Sequence, residues 1–328
     1  MNVVEKYILP GKKMAFFFYL KGAIYNLVPR SWLNAHRKRL LRNWEKRLDA
    51  DYLRWRRDIY CRLTDPFVIP REAGVHLKDV KVRKFQSRYS IDAQRSLRCF
   101  PENALLAFKD GDIWENPGLP TLMKARRLNG KNEDNAVILN LDSIRHWLHP
   151  HDRIPFNEKI PKLFFRGDIF NKPERIRFFE QWADNDMFDL GDTNRSNPSR
   201  WHSEFVSIPE HFKYKFILAL EGYDMASSLQ WIMASGCVPV MPRPTVEGWL
   251  MHSQLVPDKH YIEIAPDFSD AGEKIRYYID HPDEARMISE ESKKWASQFD
   301  DRKREKIVSL LVVDKYLSLN KTNCIKQS

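Results

Sequence analysis

The sequence lacks three features that would assign it to common classes of protein. Its four cysteines, Cys61, Cys99, Cys237 and Cys324, include no C-x-x-C pair, which argues against a zinc site or a disulfide framework and favours a reducing compartment. No uninterrupted apolar run reaches the roughly 18 residues of a membrane-spanning helix, so an integral membrane protein is not expected. Lys21 interrupts the apolar stretch near the start and no small-residue cleavage site follows, so we expect no signal peptide.

The composition predicts a folded globular protein. Hydrophobic residues make up 43% and charged residues 30% of 328 residues. A chain of this length buries a substantial core, and two domains of about 100 to 200 residues are the default expectation.

Basic charge is concentrated at the N-terminus. Residues 1–62 hold 15 lysines and arginines against five acids, an excess equal to the net charge of +10 of the whole chain. The remaining residues are therefore neutral as a group. Such an asymmetry predicts a polyanionic partner, either nucleic acid or anionic lipid.

Apolar side chains that accompany these bases favour lipid. Twelve of them form an aromatic-rich stripe: Met14, Phe16, Phe17, Phe18, Tyr19, Leu20, Ile24, Tyr25, Leu27, Val28, Trp32 and Leu33. This is typical of a basic amphipathic helix at a membrane surface. The alternative is that the stretch packs on the protein's own core while the bases form a solvated helix face. No recognised nucleic-acid motif accompanies the charge, so no nucleic-acid partner is predicted.

The order of the segments predicts an α/β protein. Residues 31–63 have the spacing of a helix, and short strands and helices are expected over 75–150. After a proline-rich connector at 149–161, strand-like runs at 163–168, 215–222, 238–242 and 260–264 alternate with helical segments, which indicates parallel βαβ units. We therefore predict a basic helical segment at 1–66, an α/β domain at 67–155 and a Rossmann-like domain at 156–328.

Two segments carry a specific resemblance to a known family. They are KLFFRGDIFNKPERIR at 162–177 and KYKFILALEGYDMASSLQWIMASGCVPVMP at 213–242, supported by WLMHSQLVPDKHYIEI at 249–264. Together they resemble the family-90 glycosyltransferases, which include fungal capsule xylosyltransferases, Rumi-type protein O-glucosyltransferases and bacterial lipopolysaccharide-core enzymes. The similarity covers about residues 95–300 and is greatest to the bacterial branch.

The resemblance implies a GT-B fold, in which two Rossmann-like domains face a cleft with the acceptor on the N-terminal one and the donor on the C-terminal one. It also implies inverting transfer of a hexosyl or pentosyl group from a nucleotide-sugar, expected to be UDP-linked, to a glycan such as lipopolysaccharide core. No divalent metal or other cofactor is expected. With the basic N-terminus, this places the protein in the cytoplasm at the inner face of a bacterial inner membrane.

Candidate donor-binding residues lie where the predicted strands end. Arginine forks suit diphosphate oxygens, glycines permit close backbone approach, and glutamate accepts hydrogen bonds from ribose. The candidates are Arg166, Gly167, Arg175, Lys215, Gly222, Ser227, Ser228, Arg243 and Glu247. Ordinary alternatives stay open: a salt bridge from Arg175 to Glu174 or Glu180, turn glycines, and a solvated loop glutamate.

The catalytic base does not carry over from the Rumi-type pattern. Arg127 stands where that pattern has its aspartate, and Ser228 stands where it has an arginine. Lys124 and Arg126 in the same stretch are expected on the acceptor side. An inverting transfer needs a group that removes the acceptor's hydroxyl proton, and the candidates near strand ends are Asp112, Asp168 and Asp224.

Two further patterns are not assigned to metal binding. The D-N-D run at 184–186 lies in an acidic stretch and is predicted to be solvated, and His146, His149 and His151 are interpreted as loop residues. Two other functions compete with the enzyme. A catalytically inactive relative that binds nucleotide or glycan is compatible with Arg127, and a membrane-associated scaffold would depend on the N-terminal residues alone.

Overall fold

The structure is a computed structural model that describes residues 12–80, 88–141, 143–146 and 151–323, with side chains from residue 16 onward except those of 145, 146 and 323. Cys324, His149 and the charged residues before residue 12 lie outside this part, as do the side chains of Met14 and His146. Described helices are α1 (Lys12–Leu27), α2 (Arg30–Leu41), α3 (Ala50–Tyr60), α4 (Arg88–Leu97), α5 (Ser143–His146), α6 (Pro173–Trp182), α7 (Ile208–His211), α8 (Leu229–Met233), α9 (Ala271–Asp280), α10 (Pro282–Ser297) and α11 (Arg302–Leu319). Described strands are β1 (Val75–His76), β2 (Leu105–Leu106), β3 (Thr121–Met123), β4 (Arg126–Arg127), β5 (Ala136–Ile138), β6 (Ile160–Gly167), β7 (Phe188–Asp192), β8 (Tyr214–Leu218), β9 (Val238–Met241), β10 (Val246–Glu247) and β11 (Ile262–Glu263).

The described chain divides into two compact units, each discontinuous in sequence. The sheet unit comprises residues 145–244 and 253–298, and the helical unit comprises 12–144, 245–252 and 299–323. The domain boundaries predicted from the sequence, near residues 66 and 155, instead separate segments that are each continuous in the sequence. A local pattern does not reveal that 245–252 and 299–323 join the N-terminal residues, and the functional division at those boundaries stays a prediction.

The sheet unit is built on five parallel strands in the order β11, β9, β8, β6, β7. The predicted strands at 163–168, 215–222, 238–242 and 260–264 correspond to β6, β8, β9 and β11, so the mixed α/β, Rossmann-like character is confirmed. Strand β7 was not predicted, because its sequence FDLGD carries two acids and a glycine instead of an apolar run.

The core of the sheet unit is rich in phenylalanine. Phe164, Phe165, Phe178, Phe179 and Phe216 are all buried. Each buried side chain of this size contributes roughly 1.5 to 3 kcal/mol. Helices cover the sheet, and strands buried in this way have nearly continuous apolar sequences, which is why the pattern identified them.

In the helical unit, the single helix predicted over 31–63 is divided into two helices. Helix α2 ends at Leu41 and α3 begins at Ala50, and Asn43 between them has a left-handed backbone with φ of 53°. Asparagine tolerates this conformation better than most residues, and a helix cannot continue through it. The apolar spacing persists across the break, so periodicity alone predicted one helix.

A buried polar network joins α3 to α11 in the helical unit. Arg56 pairs with Glu305, and its Nη2 donates to the Tyr60 hydroxyl over 2.8 Å. The Tyr60 ring stacks on Trp249 with 4.0 Å between centroids, and the Trp249 indole donates to Glu305 over 2.6 Å. The network connects residues that are far apart in the sequence.

Strands of the helical unit form pairs instead of a second large sheet. Among the described residues β1 pairs with β2, β3 with β5, and β4 with β10. The second Rossmann-like domain of a GT-B arrangement is therefore not confirmed.

Helix α1 packs by one narrow side and exposes the rest. Phe18 is buried, Gly22 lies against Ile91 of α4, and Tyr25 donates to the carbonyl of Arg95 over 3.1 Å. Of the twelve stripe residues, those with exposed side chains are Phe16, Phe17, Tyr19, Leu20, Ile24, Leu27 and Trp32. The alternative that the whole apolar stretch packs on the protein's own core is therefore wrong. In the described part of the chain, no helix is both long and apolar enough to span a membrane.

Candidate active site

The order of the strands identifies one edge of the sheet as the place for a ligand. From β6 the chain crosses outward to β7, whereas from β8 it crosses in the opposite direction to β9. Connections thus leave in opposite directions from the carboxyl ends of β6 and β8. Ligands of open α/β sheets bind in the crevice at such a switch point. The residues that follow β6 and β8, at 168–172 and 219–224, line this position.

Arg175 holds both loops of the switch point. Its Nη1 donates to the carbonyl of Asp168 and its Nη2 to that of Leu220, each over 2.8 Å, and Nε lies 3.4 Å from the carbonyl of Glu221. Burial lowers the pKa of Arg175 to about 10, so the guanidinium stays protonated at neutral pH. The salt bridges to Glu174 or Glu180 are not formed. Arg175 is a positioning residue whose charge remains beneath the loops.

Gly222 lies directly on this guanidinium. A Cβ at position 222 would be 3.4 Å from Nη2 of Arg175 and 3.7 Å from Cε of Lys172. The Gly222 amide donates to the carbonyl of Asp224 over 3.0 Å, which closes a tight turn after β8, and Asp224 is buried. The predicted donor residue Gly222 and the predicted base Asp224 are therefore brought together with Arg175.

Asp168, the third member of this group, organises the loop after β6. Its carboxylate pairs with Lys172 and accepts hydrogen bonds from Asn194 over 2.8 Å and from the Phe170 amide over 2.9 Å. Burial raises the pKa of Asp168, but the hydrogen bonds outweigh burial and leave this pKa below its usual value. A carboxylate with a lowered pKa is a weak base.

Lys172 was missed by the sequence analysis. Its Nζ lies over the Tyr223 ring, 5.4 Å from the centroid, so it links the loop after β6 to the loop after β8. The available signal was its place between the R-G-D run and Pro173, where the chain passes from a strand end into α6.

Two other candidates on β6 serve the strand itself. Arg166 pairs with Asp189 of β7 over 2.6 Å and lies over the Phe164 ring. Its guanidinium therefore turns back along the sheet. A Cβ at Gly167 would come within 2.8 Å of the Phe165 ring, so this glycine is explained by packing.

Lys215 and Arg243 contact other parts of the sheet unit. Lys215 is the second residue of β8, at the amino end of the strand, and its Nζ is 5.2 Å from the centroid of the Phe156 ring. Arg243 follows β9 and forms a two-armed ion pair with Glu263 of β11 at 3.2 Å, with 72% of its side chain exposed. Donor contacts from Lys215 and Arg243 stay predictions.

Ser227 and Ser228 immediately precede α8. That helix has five residues, and the Ser228 side chain makes no capping hydrogen bond to it. So short a helix provides no strong positive end for phosphate. Phosphate contacts from these serines stay a prediction.

The remaining candidates belong to the helical unit, where β4 and β10 pair Arg126 with Glu247. Arg126 is fully buried and donates to the carbonyls of Ala136, Ile59 and Tyr60 at 2.8 to 3.0 Å. Burial lowers the pKa of Arg126 to about 10.

Glu247 is also fully buried. It accepts a hydrogen bond from the Gly248 amide over 3.1 Å and has Nδ1 of His252 3.7 Å from its Oε1. An acceptor-side role for Arg126 and a ribose contact for Glu247 stay predictions that this burial does not favour.

Lys124 and Asp112 form an ion pair in the same unit. Their Nζ and Oδ1 atoms are 2.7 Å apart, with Lys124 buried and 40% of the Asp112 side chain exposed. Among the described residues, no group of three or more histidines, cysteines, aspartates or glutamates is placed to hold a metal ion. Metal independence stays a prediction.

Comparisons with known proteins identify the family of this chain. The model of glycosyl transferase family 90 matches residues 136–324. The O-glucosyltransferase LpsA of Dichelobacter nodosus is 36% identical over 308 residues, which cover 92% of this chain and 95% of the relative. Protein O-glucosyltransferase 2 of Danio rerio is 30% identical over 141 residues, 41% of this chain and 28% of the relative.

These similarities define a glycosyltransferase, and the parallel sheet is consistent with one. The chain belongs to glycosyltransferase family 90, as its motifs at 162–177 and 213–242 predicted. It is therefore an enzyme, and the inactive relative and the scaffold are set aside.

Proposed function

We propose that the enzyme transfers glucose, with inversion, from a UDP-linked donor to a sugar hydroxyl of a lipopolysaccharide-core glycan. The relative that spans nearly the whole chain is named an O-glucosyltransferase LpsA, which supports both the sugar and the acceptor class. The division of labour follows the GT-B pattern, with the donor on the sheet unit and the acceptor on the helical unit.

The observation that carries the donor site is the buried guanidinium of Arg175 beneath Gly222. Its three hydrogen-bond partners are neutral carbonyls, and the Asp168 carboxylate that interacts with it electrostatically is itself paired with Lys172. An anionic diphosphate approaching the Gly222 backbone is attracted by this charge in a setting of low dielectric. Glycine keeps the approach open because it carries no side chain.

Asp224 is the proposed general base. Asp168 is weakened as a base by its lowered pKa, and Asp112 is paired with Lys124 in the helical unit. Asp224 lies in the turn that follows β8 at the switch point and is 6% exposed. In the proposed step its carboxylate takes the proton of the acceptor hydroxyl while that oxygen bonds to the sugar's anomeric carbon and the UDP leaves with the bonding electrons.

A membrane-surface location is part of the proposal. The exposed aromatic and aliphatic side chains of α1, among them Phe16 at 61% and Leu27 at 83%, form a patch that is costly in water. The bases of residues 12–62 suit anionic headgroups, and a lipid-linked acceptor resides at such a surface. The partner proposed for this face is an anionic bilayer at the inner face of the bacterial inner membrane.

A panel of nucleotides and an acceptor assay test the proposal. Thermal unfolding is measured with UDP, GDP, ADP and CMP and with their glucose-linked forms where these exist. A ligand at about 100 times its dissociation constant stabilises by roughly 2.7 kcal/mol. Stabilisation by UDP-glucose, with formation of a β-linked product on lipopolysaccharide core, is the expected result. Stabilisation by another nucleotide alone would refute the proposed donor.

A further inference from the structure

A cavity of 670 Å³ in the helical unit is lined mainly by cationic side chains. Its volume lies within the range of about 300 to 1,000 Å³ that holds small-molecule ligands. The cations come from the end of α2, the segment after it and the first turns of α11: Arg39, Arg42, Arg47, Arg302, Lys303 and Lys306. None of these residues belongs to the candidate active site.

The charge of this basic cavity is largely uncompensated. Within the described part of the chain, the side chains of Arg42, Arg302 and Lys303 have no ion pair or hydrogen bond. Each is exposed to solvent. Three cations that face one cavity without partners repel each other, and an anion in the cavity relieves this repulsion.

The neighbouring acids are already engaged. Asp49 accepts two hydrogen bonds from Arg47, over 2.7 and 3.0 Å. Asp301 caps α11 by accepting from the amides of Lys303 and Arg304, over 2.9 and 3.0 Å. The first amides of the helix are therefore satisfied, and it is the side-chain cations that make the cavity attractive to anions.

The pKa of His36, which lies on the cavity wall, is affected by this positive charge. Partial burial, and then Arg39 and Lys306, lower the pKa of His36 below its usual value. Nη2 of Arg39 is 2.9 Å from Nδ1 of His36, which fits a neutral imidazole as acceptor. Lys306 also lies over the Tyr25 ring of α1, so the cavity adjoins the helix that exposes the apolar patch.

We propose that this basic cavity binds a phosphate group, either free in solution or carried by a lipid headgroup. Several arginines match phosphate because each guanidinium presents a planar fork to two oxygens. A phosphate monoester carries close to two negative charges, which suits unpaired cations better than a single carboxylate does. Leu40 and Ile307 in the wall give the organic part of an ester an apolar contact. The proposal does not depend on which sugar the enzyme transfers.

The direct test follows the titration of His36 by NMR with inorganic phosphate, against chloride at the same ionic strength. The pKa of His36 is expected to rise when phosphate binds, because a nearby anion stabilises the imidazolium. His36→Gln identifies the resonance. A saturable rise supports the site, and an unchanged pKa with no saturable binding overturns it.

Charge-matched variants separate the cavity from the general basic charge. Arg42→Gln/Arg302→Gln/Lys303→Gln removes the three unpaired cations, and phosphate affinity is expected to fall at least tenfold. Arg71→Gln/Lys78→Gln/Lys293→Gln removes three exposed cations elsewhere and is expected to leave the affinity unchanged. Equal losses in both, with unchanged melting temperatures, would overturn the cavity as the site.

Vesicles distinguish the two sources of phosphate. Phosphatidylcholine vesicles that contain phosphatidic acid present a monoester headgroup. If the cavity variant loses vesicle binding that the control keeps, and inorganic phosphate competes, the ligand is a lipid headgroup. If the cavity variant loses only inorganic phosphate, the ligand is soluble. Loss of neither contradicts the proposal.

Discussion

The guanidinium of Arg175 donates a hydrogen bond of 2.8 Å to the main-chain carbonyl of Leu220, which ties helix α6 to the loop that follows β8. A second bond of the same length reaches the carbonyl of Asp168 after β6. One side chain thus fixes the ends of the two strands between which the crossovers diverge. The geometry of the proposed donor site depends on it.

Replacement of Arg175 is expected to damage both stability and donor binding. Arg175→Ala leaves the carbonyls of Asp168 and Leu220 without their donor, and each buried unsatisfied acceptor costs about 1 to 3 kcal/mol. Arg175→Lys keeps the charge without the planar fork, so it should retain part of the stability but not the donor affinity. Urea unfolding and UDP-glucose titration measure the two effects.

The control for Arg175 is Arg276→Ala, on the exposed side of α9 in the same unit. A surface substitution of this kind changes stability by about 0.5 kcal/mol or less. If Arg175→Ala behaves like Arg276→Ala in both measurements, Arg175 does not position the loops after β6 and β8.

The assignment of the base predicts different results for three aspartates. Asp224→Asn should lower kcat by a factor of about 10² to 10⁴ with little change in KM for the donor. It should also abolish the fall of kcat/KM at acidic pH, which reports protonation of the base. Asp168→Asn should raise KM and reduce stability, since it weakens the contacts with Lys172 and Asn194. Asp112→Asn should have the smallest effect. Retention of this fall at acidic pH in Asp224→Asn, with its loss in another variant, would reassign the base.

The Arg56–Glu305 pair is expected to dominate the stability of the helical unit. Glu305→Gln leaves the fully buried Arg56 without a counter-charge, and breaking a buried pair costs about 3 to 5 kcal/mol. Glu204→Gln breaks a pair with Arg195 in which both side chains are at least 74% exposed, and about 0 to 1 kcal/mol is expected. Similar losses in urea unfolding of the two variants would contradict the account of the network.

The exposed face of α1 predicts a specific loss of membrane binding. Phe16→Ser/Phe17→Ser/Leu27→Ser should leave melting temperature and soluble-acceptor activity unchanged while reducing sedimentation with vesicles of phosphatidylcholine and phosphatidylglycerol. The matched control, Phe205→Ser/Val256→Ser/Met287→Ser, removes three exposed apolar side chains of the sheet unit. If the α1 variant loses no more vesicle binding than this control does, the proposed bilayer contact is contradicted.

The sequence predicted the sheet unit well because parallel strands covered on both faces leave continuous apolar runs. The runs in β6, β8 and β9 are of this kind, whereas β7 at the edge mixes acids with Gly191 and was missed. In the helical unit, neither the left-handed backbone of Asn43 nor the short strand pairs have a comparable local signal.

The sequence predicted which residues follow the strands of the sheet, but not the contacts that these residues make. The R-G-D and E-G-Y-D motifs lie at or after the carboxyl ends of β6 and β8, which share one edge of the sheet because the strands are parallel. They did not reveal that Arg175 donates its hydrogen bonds to main-chain carbonyls or that Arg166 pairs with Asp189, because such contacts depend on neighbours that are distant in the sequence. Glu247 lies in the helical unit for a similar reason: the chain returns there at 245–252.

Binding of UDP-glucose to Gly222→Ala and Gly118→Ala, measured by titration calorimetry beside the wild type, tests the central claim most directly. The three atoms nearest to a Cβ at Gly222 belong to Arg175 and Lys172 and lie 3.4 Å or more away, and a Cβ at Gly118 meets nothing within 4 Å, so both variants should fold. We expect Gly222→Ala to lose at least tenfold in affinity at an unchanged melting temperature, and Gly118→Ala to bind like the wild type. Wild-type affinity in Gly222→Ala would contradict a donor site on the loop after β8.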